Sequence, residues 1–214
     1  MKKLYRYIDI PNLSVIVEEL KQFYNVNTLN CKKAESWSLP YNTIKPKTPA
    51  LTEFLERSRV PVRILKYYSV PPNGRLAYHV DGPIDIPGQC PPFSFNIPLL
   101  NYDNTYIHWY NCPLDNLKQL TKTNKTGNSY MIQEGFFGNA FFPVDKTQLV
   151  EIGKAEVNRP MIIKTDLVHC ATNPNPETLR VIAGIRLDLY NKTQPISEFE
   201  EIFDTTGLTI DSAD

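Results

Sequence analysis

Residues 179–190 read Leu-Arg-Val-Ile-Ala-Gly-Ile-Arg-Leu-Asp-Leu-Tyr. Side chains along a strand alternate between its two faces, and this stretch obeys that period. Val181, Ala183, Ile185, Leu187 and Leu189 make one apolar face, which predicts packing. Arg180, Ile182, Gly184 and Arg186 share the other face unless a bulge intervenes. An arginine aimed into an interior needs an anion, because a buried unpaired charge is costly.

Upstream, shorter runs of the same texture alternate with Pro, Gly, Asn and Asp. They are Val62–Val70, Leu76–Asp81, Ser94–Leu99, Tyr106–Tyr110, Met161–Lys164 and His169–Thr172. Many short strands with frequent turn signals predict an all-β sandwich or barrel. The absence of a βαβ rhythm argues against a doubly wound sheet. Before residue 60 the pattern is helical. Leu13, Ile16, Val17, Leu20 and Phe23 mark a helix over residues 12–24 with Asn12 as its cap, and Thr48-Pro49 opens a second. A polar connector separates the two. Residues 114–130 read as a surface loop and candidate lid. Residues 195–214 read as a short acidic helix, with Ser197 and Glu200 as a capping box, and a solvated tail. The expected organisation is one domain over 1–194, helical to residue 59 and a barrel from 60, followed by that tail.

With 214 residues, 23 basic and 23 acidic, the chain carries no net charge. That argues against tight, sequence-independent nucleic-acid binding. No apolar run reaches the ~18 residues of a membrane span. Asp9, Pro11 and Glu18 interrupt what a signal peptide would keep apolar, and the four cysteines form no C-x-x-C pair. A cytoplasmic chain with reduced thiols is the expectation.

The chemistry concentrates around two of the three histidines. In Leu76-Ala-Tyr-His-Val-Asp-Gly82, His79 and Asp81 stand at i and i+2, so a strand presents imidazole and carboxylate on one face. His169 follows 88 residues after Asp81, and Arg180 comes 11 residues after His169. Taken alone, each has a bland reading: a His–Asp pair closing a strand, and a core histidine satisfied by Asp166 or Asn173. Cys170 beside His169 suggests a nucleophile, but adjacent strand residues point to opposite faces.

Together, His-x-Asp, the later His and the trailing Arg resemble the non-haem Fe(II), 2-oxoglutarate-dependent oxygenases over about residues 60–190. Phe95-Asn-Ile-Pro-Leu, then Thr105 and Trp109, are similar to the strand pair after His-x-Asp in small hydroxylase-like members carried by bacteria and tailed phages. The resemblance implies a mainly β, double-stranded β-helix (jelly roll) with the N-terminal helices on its outer sheet. It implies His79, Asp81 and His169 as iron ligands, with open positions for the 2-oxo acid and O2. It makes Arg180 the partner of the distal carboxylate of 2-oxoglutarate, with Arg186 as second candidate. Tyr78, Asn96, Tyr106 and His108 are candidates to line the co-substrate pocket, and His108 is an alternative to His169 as ligand. The implied activity is hydroxylation, or another two-electron oxidation, of a small-molecule or peptide substrate. Two other readings stay open: a non-catalytic module that kept the barrel, such as a virion or assembly protein, and a cupin-like metal enzyme that does not use 2-oxoglutarate. In the latter, Arg180 would pair with an internal acid such as Asp166 or Asp188.

Overall fold

The computed structural model describes residues 4–26, 29, 32–60, 62–76, 78–81, 93–111, 121–123, 129–131, 139–141, 149–187 and 199–210. In chain order these form β1 (Tyr5–Asp9), α1 (Leu13–Lys21), β2 (Glu35–Pro40), α2 (Tyr41–Ile44), α3 (Pro49–Arg57), β3 (Val62–Val70), β4 (Gly74–Arg75), β5 (His79–Asp81) and β6 (Phe93–Leu100). Then come β7 (Tyr106–Asn111), β8 (Thr121–Thr123), β9 (Ser129–Met131), β10 (Asn139–Phe141), β11 (Val150–Glu156), β12 (Met161–Lys164), β13 (Val168–Asn173), β14 (Arg180–Leu187), α4 (Phe199–Thr205) and β15 (Thr209–Ile210).

The larger sheet has the order β15-β1-β12-β6-β14-β3-β2, and the smaller one β10-β5-β13-β7-β11, with β4 also on β13. Their ladders are antiparallel. Successive strands alternate between the sheets: β5, β6 and β7 do so, and so do β11, β12, β13 and β14. That winding is a double-stranded β-helix, and the chain is mainly β as expected. Its interior is closed by side chains from both sheets, among them Tyr7, Val70, Ile107, Trp109, Met161 and Ile182. Trp109 donates from Nε1 to the Lys164 carbonyl at 2.9 Å, which ties β7 to the end of β12.

The outer face of the larger sheet carries the helices. Ile16 and Leu20 of α1, with Leu51, Phe54 and Leu55 of α3, pack on Phe93, Phe95, Ile97, Val181, Ala183 and Ile185. Each fully buried aliphatic side chain contributes about 2 kcal/mol. The expected cap of α1 is not formed: Asn12 sits in the left-handed region at φ 57°, and its side chain bonds nothing at the helix start. The cap of α3 is supplied at long range. Thr48 spends its hydroxyl on the Ile44 carbonyl. The Glu19 carboxylate of α1 accepts from the backbone N–H of Ala50 at 2.8 Å and of Leu51 at 3.0 Å.

Three further expectations are corrected. The polar connector contains β2, held on β3 with Trp37 stacked on Tyr67 at 5.1 Å. The segment read as a solvated tail is structural: Ile202 and Leu208 are buried in the core, and β15 extends the larger sheet on β1. Ser197 lies outside the described residues. Of the loop at 114–130, residues 121–123 pair with 129–131 as a two-stranded ribbon, and the rest lies outside the described residues. Among the described residues, no helix is long and apolar enough to cross a membrane.

Candidate active site

The site is set by β14. The extra residues at its two irregularities belong to its neighbours, because Ile182 pairs with Pro98 after Val181 pairs with Leu100, and Leu187 with Val62 after Arg186 with Ile64. The alternation of β14 is therefore unbroken. Val181, Ala183 and Ile185 face the helices. Arg180 and Ile182 face the space between the sheets, where they line a pocket with Val70, Leu76, Ile107, Ile163 and Ala171. The polar atoms reaching this largely apolar pocket come from Arg180, His79, His169, Ser94, Asn96 and Tyr68.

Arg180 is 1% exposed. Its Nε has no hydrogen-bond partner among the described residues. Desolvation pulls the guanidinium down from its ordinary value to about 9, and no acid among the described residues is paired with it. Asp166, a candidate internal partner, instead lies 3.8 Å from Lys164 Nζ. Asp188 lies outside the described residues.

Across the pocket, His79 and His169 are register partners on β5 and β13. Both are buried, and their ring centroids stand 4.3 Å apart at 47°. His169 Nδ1 lies 2.8 Å from the Leu167 carbonyl. A carbonyl only accepts, so Nδ1 carries the proton, and the Nε2 lone pair is left for a ligand. Two imidazoles at this spacing suit a divalent transition metal. Asp81 closes β5 opposite Asn139, and Arg186 sits opposite Ser94 on β6; the side chains of both lie outside the described set. Among the described residues no three His, Cys, Asp or Glu converge on a metal site.

Of the candidate pocket residues, Asn96 lines the pocket and three others do not. Tyr106 and His108 stand opposite Thr172 and Cys170 in the β7–β13 register, on the reverse face from His169. There His108 Nδ1 meets Glu151 Oε2 at 2.9 Å and Nε2 meets Thr172 Oγ1 at 3.0 Å, so both ring nitrogens are engaged. Tyr78 precedes His79 and takes the reverse face too, edge-on to Tyr110 and bonded by Arg75. Cys170 shares that face, where burial raises its thiol to about 11. Tyr68 and Ser94 were not singled out from the sequence. The alternation of Ser94 and Asn96 with Phe93, Phe95 and Ile97 carried the signal for Ser94.

No protein-family model and no curated protein matches the chain. Its structure is similar to the α-ketoglutarate-dependent carbocyclase SnoK of nogalamycin biosynthesis (12% identity, 86% of this chain, 79% of that one, TM-score 0.44). It is also similar to the epimerase SnoN of the same biosynthesis (10%, 92% and 89%, TM-score 0.44). A third likeness is to the viral collagen prolyl hydroxylase of Paramecium bursaria Chlorella virus-1 (14%, 86% and 94%, TM-score 0.37). The double-stranded β-helix of this chain rests on its own strand order.

Proposed function

We propose that the chain is an Fe(II)- and 2-oxoglutarate-dependent oxygenase that hydroxylates a small-molecule or peptide substrate. The observation that carries this reading is a buried Arg180, with no acid paired to it among the described residues, in one pocket with two facing imidazoles. A cation kept dry without a protein partner calls for an anionic ligand, and a planar guanidinium suits a carboxylate. His79 and His169 would hold the iron, with Asp81, two positions along β5, completing the set. Arg180 would bind the distal carboxylate of 2-oxoglutarate.

Iron with 2-oxoglutarate supplies the two-electron oxidation by O2, with succinate and carbon dioxide as co-products. The chain's own contribution is orientation and exclusion of water. The Leu167 carbonyl keeps the His169 proton on Nδ1 and so aims Nε2. The apolar wall of Val70, Leu76, Ile107 and Ile182 lowers the dielectric around Arg180, which strengthens its grip on an anion. Asn96 offers a hydrogen-bonding amide within the same pocket.

The test needs no substrate. The apo-protein is given Fe(II) under nitrogen, then 2-oxoglutarate, and the visible spectrum is recorded. A new charge-transfer band saturating at one equivalent is the expected result. Iron binding without a band would refute 2-oxoglutarate as the ligand, and no iron binding would refute the enzyme reading altogether.

A further inference from the structure

The segment between His169 and Arg180 is held by one buried amide. Asn173 ends β13, four residues after His169, and is fully buried. Its Nδ2 lies 3.1 Å from the carbonyl of Val70, 3.1 Å from that of Pro71 and 2.7 Å from that of Thr178. Its Oδ1 accepts from the Asn175 backbone N–H at 3.2 Å. These acceptors bracket Arg180: Val70 is its register partner on β3, and Thr178 lies two residues before it. On the other side, Asn101 Nδ2 donates to the Leu179 carbonyl at 2.9 Å.

A buried cation without a paired acid gains by turning toward water. No hydrogen bond or ion pair among the described residues holds the Arg180 guanidinium, whereas the hydrogen bonds that flank it act on its backbone. We infer that Asn173, assisted by Asn101, is a positioning residue that holds Arg180 inside the pocket for the co-substrate carboxylate. This rests on the reading of Arg180 given above. Holding a binding group in place before the ligand arrives removes an ordering cost from the binding step. Hydrophobic packing could not serve here, because three carbonyls meet where β3, β13 and β14 come together, and the two N–H groups of one primary amide are shared among them.

The experiment separates the distal carboxylate from the 2-oxo acid end. Full-length Asn173→Ala protein, loaded with Fe(II) under nitrogen, is titrated with 2-oxoglutarate. A parallel titration uses 2-oxopentanoate, which has the same chain length without the distal carboxylate. The charge-transfer band reports both. The variant should bind 2-oxoglutarate about tenfold more weakly, a modest value for ångström-scale misplacement, and bind 2-oxopentanoate as wild type does. Equal weakening of both acids would make Asn173 merely structural, and no weakening of either would overturn the inference. Should Asn173→Ala fail to fold, Asn101→Ala removes the outer hydrogen bond alone, and the same selective loss, smaller in size, is expected of it. Equal weakening of both acids, or of neither, in that variant would likewise overturn the inference. A wild-type protein that prefers 2-oxoglutarate no more than 2-oxopentanoate would instead refute the role of Arg180, and this inference with it.

Discussion

His79 and His169 face each other in register across β5 and β13, with ring centroids 4.3 Å apart. They are 90 residues apart in the chain, so the pair exists only when the barrel has closed. His79→Ala and His169→Ala should each abolish stoichiometric Fe(II) binding in anaerobic equilibrium dialysis, with the fold retained. His108→Ala should bind iron as wild type does, because both His108 nitrogens are engaged on the opposite face. Loss of iron in His108→Ala with retention in His169→Ala would reverse the assignment.

Arg180 should show opposite effects on ligand binding and stability. Replacing it with Met removes a charge-assisted contact of about 3 kcal/mol, on the order of 100-fold in the Kd for 2-oxoglutarate. The same change relieves a buried charge that no acid among the described residues compensates, so the apo-protein should gain about 1 kcal/mol or more in urea unfolding. The gain depends on pH. Burial lowers the folded guanidinium from its ordinary value to about 9. Between those values the unfolded chain binds more protons, so rising pH stabilises the wild-type fold. The advantage of Arg180→Met should be full below pH 9 and shrink above it. An advantage that did not vary between pH 7 and pH 10 would contradict an uncompensated Arg180.

How much of this was legible in the sequence follows from which side chains decide each element. The strands β3 and β12 lie where the apolar runs put them, Val62–Val70 and Met161–Lys164, because each is apolar enough to announce itself. The faces of β14 were readable for the same reason. The strands β1, β2 and β11 were not, since they are short or rich in polar residues and are specified by their partners' ladders. The end of the chain was misread because its acidic residues outnumber Ile202 and Leu208, the two side chains that anchor it. In the site, His-x-Asp and the spacing to Arg180 were visible. The phase of β7 was not: aromatic or aliphatic side chains occupy both faces from Tyr106 to Tyr110, and only the pairing of His108 with Cys170 settles which points inward. Tyr78 was decidable, since it adjoins His79 and must take the opposite face.

Glu19 ties two helices together through a cap that local sequence does not announce. Pro49 has no N–H, so Ala50 and Leu51 are the first donors of α3, and both go to the Glu19 carboxylate. Glu19→Ala should cost about 1 kcal/mol in urea unfolding with an unchanged m-value. Glu19→Gln should cost less, because it keeps an acceptor but loses the charge that favours a helix N-terminus. Both variants should bind Fe(II) and 2-oxoglutarate normally, since the cap lies on the outer face of the larger sheet. A cost near zero for Glu19→Ala would mean that water replaces the carboxylate without penalty.

Gly184 stands on the pocket face of β14 between Tyr68 and Asn96, and the space above it is already taken. A Cβ there would lie 2.9 Å from Tyr68 Cε2 and 3.2 Å from Asn96 Oδ1. The first distance is too short for carbon against carbon, so the Tyr68 ring has to move. Gly184→Ala should cost about 1–3 kcal/mol, the usual price of overpacking, and should weaken 2-oxoglutarate binding by displacing two pocket residues. The cause can be separated from general damage. Tyr68→Phe keeps the offending ring atom and should not relieve the Gly184→Ala defect. Tyr68→Leu removes it and should recover most of the lost stability, giving a favourable coupling energy in a double-mutant cycle. If Tyr68→Leu and Gly184→Ala were simply additive in thermal unfolding, the ring would not be what excludes a side chain at position 184.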